Sequence, residues 1–129
     1  MELLTRAQIL KVEDLPRELV DVPEWGGSVW VRTMSGTERD TYEESLIHRQ
    51  GETVSLCMVN ARAKVCASSI CDDKGERLFS DEDVISLGHK SGAALERVFS
   101  VARRLSRLND SELEETAKNS EATDASDSE

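Results

Sequence analysis

Two stretches of the chain place their apolar side chains at helical spacing. In residues 53–70 these positions recur at intervals of three and four, and in residues 90–108 they form a wider stripe flanked by arginines. Such intervals put the side chains on one face of an α-helix, which can then pack against another element. The sequence therefore predicts two amphipathic helices. The first stripe contains Leu56, Val59, Ala63, Cys66 and Ile70, and the second contains Leu95, Val98, Ala102 and Leu105, widened by Ala94, Val101 and Leu108.

A different period appears nearer the N-terminus. Apolar and polar residues alternate in Val20-Asp21-Val22 and again in residues 29–32, and a segment rich in proline and glycine separates the two runs. Alternating β-branched runs around a Gly-Gly pair are typical of a β-hairpin. Because an isolated hairpin is marginally stable in water, we expect this one to lie on the helices.

Two capping boxes mark the starts of further helices. Ser35 is followed three residues later by Glu38, and Ser80 stands before the acidic run of residues 81–83. These patterns predict helices over residues 36–49 and 81–87, the second with a hydrophobic staple between Phe79 and Val84. A weaker helix is predicted over residues 110–118. Residues 1–18 show no clear period, although Thr5 and the residues after it are compatible with one short helical turn.

These elements predict an α+β fold that is mainly α-helical. An N-terminal β-hairpin would pack on a small helical bundle formed by residues 1–108, with a core of aliphatic side chains because only five residues are aromatic. Residues 109–129 are expected to form an acidic, largely disordered tail. The last eleven residues contain no large apolar side chain, so they cannot bury enough surface to offset the entropy cost of ordering them.

The charge of the chain is concentrated at this end. The formal net charge is −10; from residue 109 onward there are eight acids and one base, whereas residues 1–108 hold 18 acids and 15 bases. The acidic tail repels phosphates and therefore argues against nucleic acid as a main partner.

The chain shows no sign of membrane insertion or export. It has no apolar run near 18 residues and no basic-then-apolar N-terminus, so we expect neither a membrane span nor a signal peptide. Three cysteines, an odd number, fit a reducing cytoplasm.

The cysteines, histidines and acidic runs are the candidates for a metal or catalytic site. Cys57, Cys66 and Cys71 have spacings of nine and five, unlike a zinc knuckle. On a single helix over 53–70, Cys57 and Cys66 would point in opposite directions, so they could not share a metal. His48 and His89 lie near helix ends without a nucleophile motif, and the acidic runs lack the register of a calcium loop. We therefore predict no metal, no cofactor and no enzymatic activity.

The two tryptophans are candidate partner-binding residues. Trp25 lies beside a turn, and Trp30 points away from Val29 and Val31 if the strand is regular. Exposed aromatic side chains on a hairpin often mark a protein-binding face. The alternative, that both rings cover the helices as part of the core, stays open.

The arginines of the last helix are a second candidate surface. They could face an acidic partner, remain solvated, or neutralise acids of the same molecule, including the tail. The residues concerned are Arg97, Arg103, Arg104 and Arg107.

Two adjacent motifs resemble a known family. Val22-Pro23-Glu24-Trp25-Gly26-Gly27 followed by Ser35-Gly36-Thr37-Glu38-Arg39-Asp40 resembles the strand–turn element and the helix start of the tail assembly chaperones of long-tailed bacteriophages. The order of the later elements is also similar, so the resemblance covers nearly the whole chain.

This resemblance implies a non-enzymatic assembly protein of the host cytoplasm that is absent from the finished virion tail. Such chaperones are thought to bind the tape-measure protein and to bring tail-tube subunits to it. Many are made in two lengths, the longer by ribosomal frameshifting near the end of the shorter reading frame. The resemblance is also compatible with self-association as a homo-oligomer. The family has no agreed catalytic residues.

Two other classes remain as alternatives. One is a small helical adaptor or regulatory protein-binding module of another system, using the stripe of residues 56–70. Genome context separates it from the chaperone, which should lie between a tail-tube gene and a long tape-measure gene. The other is a small metal-dependent enzyme, for which stoichiometric zinc in the purified protein would be evidence.

Overall fold

The computed structural model describes residues 2–108. The predicted tail and the predicted helix over residues 110–118 lie outside the described residues. Mixed α and β elements, mainly helical, make up the body, as the sequence predicts. In chain order they are α1 (Arg6–Lys11), β1 (Arg17–Val22), β2 (Gly27–Arg32), α2 (Gly36–Leu46), β3 (Ile47–Gln50), β4 (Thr53–Leu56), α3 (Ala61–Ser69), β5 (Ile70–Cys71), α4 (Val84–Gly88) and α5 (Gly92–Ser106).

The predicted N-terminal hairpin is present. β1 and β2 pair antiparallel with Val20 opposite Val29 and Leu19 opposite Trp30. The connection is a short 3-10 helix (Pro23–Trp25) that ends at Gly26 in a left-handed conformation with φ of +74°, which glycine adopts without a steric penalty. The register puts the valines of both strands on one face and Trp30 on the other.

A third strand, which the sequence did not predict, extends this sheet. β5 directly follows α3 and pairs antiparallel with β2, giving the order β1-β2-β5. It contains two residues, too few for an alternating pattern to be visible. Ile70, which the sequence analysis assigned to the helical stripe, is its first residue and is fully buried.

The prediction of one helix over residues 53–70 is wrong at its N-terminal half. Thr53–Leu56 is strand β4, which pairs with β3 in a second antiparallel hairpin around Gly51, whose φ is +62°. Thr-Val-Ser-Leu alternates polar and apolar residues, and this local period of two prevails over the helical spacing. α3 begins only after Asn60, which has a left-handed φ of +63°. The same hairpin ends α2 at Leu46, three residues before the predicted end.

The other helix boundaries are closer to prediction. Ser35 and Glu38 form the expected capping box at the start of α2. Ser80 and Asp83 form the second box, but the first turn is a 3-10 helix (Asp81–Asp83) and α4 follows it. α5 begins two residues later than predicted, and it ends where Arg107 adopts a left-handed conformation.

The core lies between α3, α5 and the valine face of the sheet. Buried Ala63, Cys66 and Ala67 of α3 face a helix whose buried residues are Ala94, Leu95, Val98 and Ala102. Small side chains let the two helices approach closely. The stripe that the adaptor hypothesis required as a binding surface is therefore divided: Ala63, Cys66 and Ile70 are in the core, whereas Val59 precedes the helix and is 70% exposed.

An ion-pair network joins the sheet to α2. The buried Arg32 donates two hydrogen bonds to the Glu38 carboxylate, at 3.0 and 2.9 Å, and Arg77 approaches the same carboxylate at 3.5 Å. Burial alone would raise the pKa of Glu38, but hydrogen bonds from Arg32 and from the Ser35 amide, with the charges of Arg32 and Arg77, lower it.

Candidate functional site

The turn of the N-terminal hairpin places Trp25 beside a surface groove, here called the aromatic groove. Pro23 starts the 3-10 helix and Gly26 reverses the chain, so the indole ring lies against the last third of the fold. Phe79 and Leu87 form the apolar wall with Trp25, and the groove has a volume of about 400 Å³. Asp83, Ser86 and Lys90 complete its lining.

Trp25 contributes to the apolar wall of the aromatic groove, whereas its indole nitrogen lies below the surface. Trp25 is half-buried and packs against the core, yet its indole Nε1 is buried without a hydrogen-bond partner among residues 2–108. A buried donor without an acceptor is costly, because it has lost its bond to water. The part of the site that a partner can reach is its apolar wall, which is suited to an apolar side chain.

The position of Phe79 follows from the capping box of the second acidic run. The Ser80 amide donates to an Asp83 oxygen at 2.8 Å, which fixes the chain direction just after Phe79. The sequence predicted that Phe79 would staple Val84, and both side chains pack against the core. Its role as a wall for Trp25 was missed, because the two residues are 54 positions apart and only the tertiary fold brings them together.

Trp30 lies on the opposite face of the sheet, away from the helices. Its ring is half-buried, opposite Leu19 on one neighbouring strand and Cys71 on the other. The Arg17 guanidinium carbon is 5.3 Å from the ring centroid, a cation–π contact. Neither tryptophan is fully exposed or fully buried, and the binding of a partner by either ring stays a prediction.

Arg97 and Arg104 pair with acids of the N-terminal hairpin. Arg97 bonds to Glu24 at 2.8 Å and Arg104 bonds to Glu18 at 2.7 Å, so both clamp the hairpin onto α5. A hydrogen bond to its own backbone lowers the pKa of Glu24, and the Arg97 guanidinium lowers it further.

The other two arginines lie at the end of α5. Arg103 donates to the Leu108 carbonyl at 3.4 Å, and Arg107 is the exposed C-terminal cap. These two remain candidates for contact with a partner.

The cysteines are distributed differently from the sequence-based expectation. Cys57 lies in the exposed segment before α3 and not on the helix that carries Cys66, so the geometric argument about a shared helix was wrong. Burial raises the pKa of the Cys66 thiol to about 12, with a smaller contribution from Glu96. Within residues 2–108, no group of three or more histidine, cysteine or acidic side chains is placed to hold a metal ion.

A second, more polar groove lies between α2, α3 and the acidic 3-10 turn. It also has a volume of about 400 Å³, and Glu38, Lys64, Arg77 and Asp81 line it together with Tyr42 and Val84. Arg77 pairs with Asp81 at 3.0 Å and with Glu38 at 3.5 Å, so the charges of these three side chains are balanced largely within the groove. The aromatic groove, whose wall of Trp25, Phe79 and Leu87 is apolar, is the stronger candidate for binding an apolar side chain of a partner.

None of the helices formed by residues 2–108 is long and apolar enough to cross a membrane. The described residues form a small α+β protein, and the aromatic groove on its surface has an apolar wall suited to a protein side chain. The family model of the phage tail assembly chaperones matches residues 5–120, and the chain belongs to that family.

A solved structure has the same overall fold. The tail assembly chaperone of bacteriophage HK97 superposes with a TM-score of 0.57 and 22% sequence identity, covering 77% of this chain and 90% of that one. A comparison with curated protein sequences gives no match.

Proposed function

We propose that this protein binds the tape-measure protein in the host cytoplasm, brings tail-tube subunits to it, and is absent from the finished tail. Membership of the tail assembly chaperone family supports this role. The observation that carries the proposal to particular residues is the aromatic groove, whose apolar wall is formed by the half-buried Trp25 with Phe79 and Leu87.

The groove fits one turn of a helical client better than an extended peptide. An amphipathic helix presents single apolar anchors at intervals of three and four, and a pocket of this volume accommodates one large apolar side chain. The outer face of the sheet, with Trp30 beside the exposed Leu19, offers a second apolar contact. Arg103 and Arg107 would face acidic groups of a client at the far end of α5.

Residues 109–129 would serve as a replaceable end. The shorter form of the protein would carry this acidic segment to raise solubility, and a frameshifted longer form would replace it with a segment that contacts tail-tube subunits. Mass spectrometry of the proteins expressed from the intact reading frames would detect a longer form. If only the short product is found, the proposal of a frameshifted form is wrong.

The direct test is co-expression with the tape-measure protein encoded by the same phage. The soluble fraction of the tape-measure protein should rise with the chaperone and fall back with Trp25→Ala. Ser86→Arg, at an exposed groove position, should have the same effect without removing a packed ring. Ser100→Arg, at an exposed position on α5, is the matched control and should behave as the wild type.

Two results would contradict the proposal. If the tape-measure protein is no more soluble with the chaperone than without it, the chaperone role fails. If Ser86→Arg and Ser100→Arg support solubility equally, the client binds elsewhere and the assignment of the groove is wrong.

A further inference from the structure

The second groove, between α2, α3 and the acidic 3-10 turn, is here called the polar groove, and it contains a positive charge without a counter-charge. Lys64 of α3 lines it, and within residues 2–108 its ammonium makes one hydrogen bond, to the Ser45 carbonyl at 3.3 Å. The acids of the groove, Glu38 and Asp81, both pair with Arg77 instead. An ammonium has three donors, so Lys64 keeps both its charge and further donors available to a ligand.

A buried hydroxyl without a partner lies close to this ammonium. Ser68, one helical turn after Lys64 on α3, is only 6% exposed and lines the same groove. Its hydroxyl makes no hydrogen bond to any of residues 2–108. Buried hydroxyls are usually paired, because an unpaired one has lost its bond to water. Ser68 therefore offers the groove a second donor beside Lys64.

The facing wall, on α2, provides more hydroxyl groups. Thr37, Thr41 and Ser45 are spaced by four residues, which puts them on one face of the helix. Tyr42 and Val84 give the lining its apolar part. A carboxylate only accepts hydrogen bonds, whereas ammonium and hydroxyl groups donate them. The lining is therefore matched to a carboxylate on a short aliphatic stem, which is the chemistry of a glutamate or aspartate side chain.

The chain itself contains a source of such side chains. From residue 109 onward it has eight acids and one base. Residues 110–115, here called the acidic segment, hold four of these acids around the apolar Leu113. An acidic stretch with one apolar side chain complements a groove that has an unpaired ammonium and some apolar lining.

The end of α5 brings the acidic segment within reach of the polar groove. The Ser106 hydroxyl accepts a hydrogen bond from the Met34 amide at 3.0 Å, so the chain leaves α5 beside the start of α2. The groove begins there with Thr37, and its far end at Lys64 is about 12 Å further along α2. The seven residues 109–115 span up to about 23 Å when extended. This length covers the groove from its near end to Lys64.

We propose that the polar groove is a carboxylate-binding site and that the acidic segment of the same copy occupies it. One glutamate of the segment accepts hydrogen bonds from the Lys64 ammonium and the Ser68 hydroxyl. The inference does not depend on the proposed function, because it concerns a different groove and needs no client. It gives residues 110–115 a binding role in addition to the solubility proposed for the acidic end.

The test is zero-length carbodiimide coupling of the full-length chain, which joins an amine to a carboxylate in direct contact. At neutral pH and low salt, peptide mass spectrometry of the monomeric product should find Lys64 joined to a glutamate of the acidic segment. The exposed Lys74 and Lys90 are internal controls and should couple to the segment far less. Coupling at Lys64 should fall at about 1 M salt, where the Debye length is only about 3 Å.

Two charge-matched variants of the full-length chain distinguish the acidic segment from the residues after it. Each removes three negative charges, the first within the segment and the second beyond it. The amide NMR signals of Ser68 and Lys64 should shift in the first variant and stay unchanged in the second. The variants are Glu112→Gln/Glu114→Gln/Glu115→Gln and Glu121→Gln/Asp124→Asn/Asp127→Asn.

Ser68→Ala tests the second donor of the site. Because the hydroxyl has no partner within residues 2–108, its removal should leave the body folded while lowering the coupling yield at Lys64. Ser100→Ala, at an exposed position on α5, is the matched control and should couple as the wild type. Thermal unfolding checks that both variants are folded.

Three results would overturn the inference. Lys64 could couple to the segment no more than Lys74 and Lys90 do, the two triple variants could shift the Ser68 signal equally, or Ser68→Ala could couple as the wild type. Coupling of Lys64 only to a second copy, or only to a co-expressed tape-measure protein, would show that the groove holds a partner's acid and that its assignment to the acidic segment is wrong. The expected coupling without client solubilisation would support this inference and refute the proposed function alone.

Discussion

Glu38→Gln probes the ion-pair network that joins the sheet to α2. The wild-type carboxylate accepts two bonds from Arg32 and one from the Ser35 amide at 2.9 Å, and the Arg32 and Glu38 side chains are only 8% and 14% exposed. Glutamine has nearly the same shape but no charge, so the Arg32 guanidinium loses its counter-charge while remaining buried.

The expected cost follows from that burial. Breaking one partner of a buried pair costs about 3–5 kcal/mol, and the capping box contributes about 1 kcal/mol. Because the glutamine oxygen keeps part of the hydrogen bonding, we expect a loss of about 3 kcal/mol in the free energy of unfolding. Urea unfolding followed by circular dichroism at pH 7 measures this loss.

The pH dependence gives an independent check. The pKa of Glu38 is lower in the folded protein than its ordinary value of 4.5, so its stabilisation is fully present above pH 4.5 and is lost as pH falls through the folded-state pKa. The difference in stability between wild type and Glu38→Gln should therefore shrink as the solution is made more acidic than pH 4.5.

Glu43→Gln is the matched control on the same helix. Its partner Arg39 lies at 3.1 Å, but both side chains are a quarter to a third exposed, so the loss should be about 0.5 kcal/mol. The reasoning is refuted if Glu38→Gln costs no more than this control, or if the difference from wild type is independent of pH.

Further predictions concern the core, the thiols and the tail. Leu95→Ala, in the packed face of α5, should lower the free energy of unfolding by about 2–5 kcal/mol. The exposed Leu3→Ala is the control and should leave this free energy unchanged. Equal losses for the two variants would contradict the burial of Leu95. At pH 8, Cys57 should react quickly with a thiol reagent in the folded protein and Cys66 only after unfolding, because burial raises the pKa of that thiol to about 12. Deletion of residues 119–129 should leave cooperative thermal unfolding intact; a broad, non-cooperative transition would show that the body needs them.

Local signals in the sequence predicted the elements that have their own start and stop residues. The capping boxes at Ser35 and Ser80 and the alternating valines of the first hairpin specify their structure within a few residues, so they could be identified without the fold. The wide stripe of α5 was equally clear, because its buried face is long enough to establish the helical period.

The failures occurred where two periods overlap. Leu56 and Val59 extend the helical spacing of α3 backward, yet residues 53–56 also alternate, and only pairing with β3 decides between these readings. The left-handed conformation of Asn60, which lies between β4 and α3, could not be inferred from the residue type alone.

The candidate site was predicted in part. Trp25 was predicted as a candidate partner-binding residue from its place beside a turn, but the other residues of the groove wall, Phe79 and Leu87, come from distant parts of the chain. The arginines were identified from the flanks of α5. The pairing of Arg97 and Arg104 with the hairpin depends on where the acids of β1 and its turn lie, which only the fold decides.

The sequence by itself therefore determined the type of several local elements: capped helices, an alternating hairpin, and a helix with an apolar stripe. Tertiary structure decided which of these apolar residues are buried. The stripe from Ala63 to Ile70, on α3 and β5, is buried against α5 and the sheet, whereas the equally apolar Leu3, Leu4 and Ile9 stay exposed. The physical reason is that burial depends on contacts between residues far apart in sequence, and local periodicity contains no information about which partners are within reach.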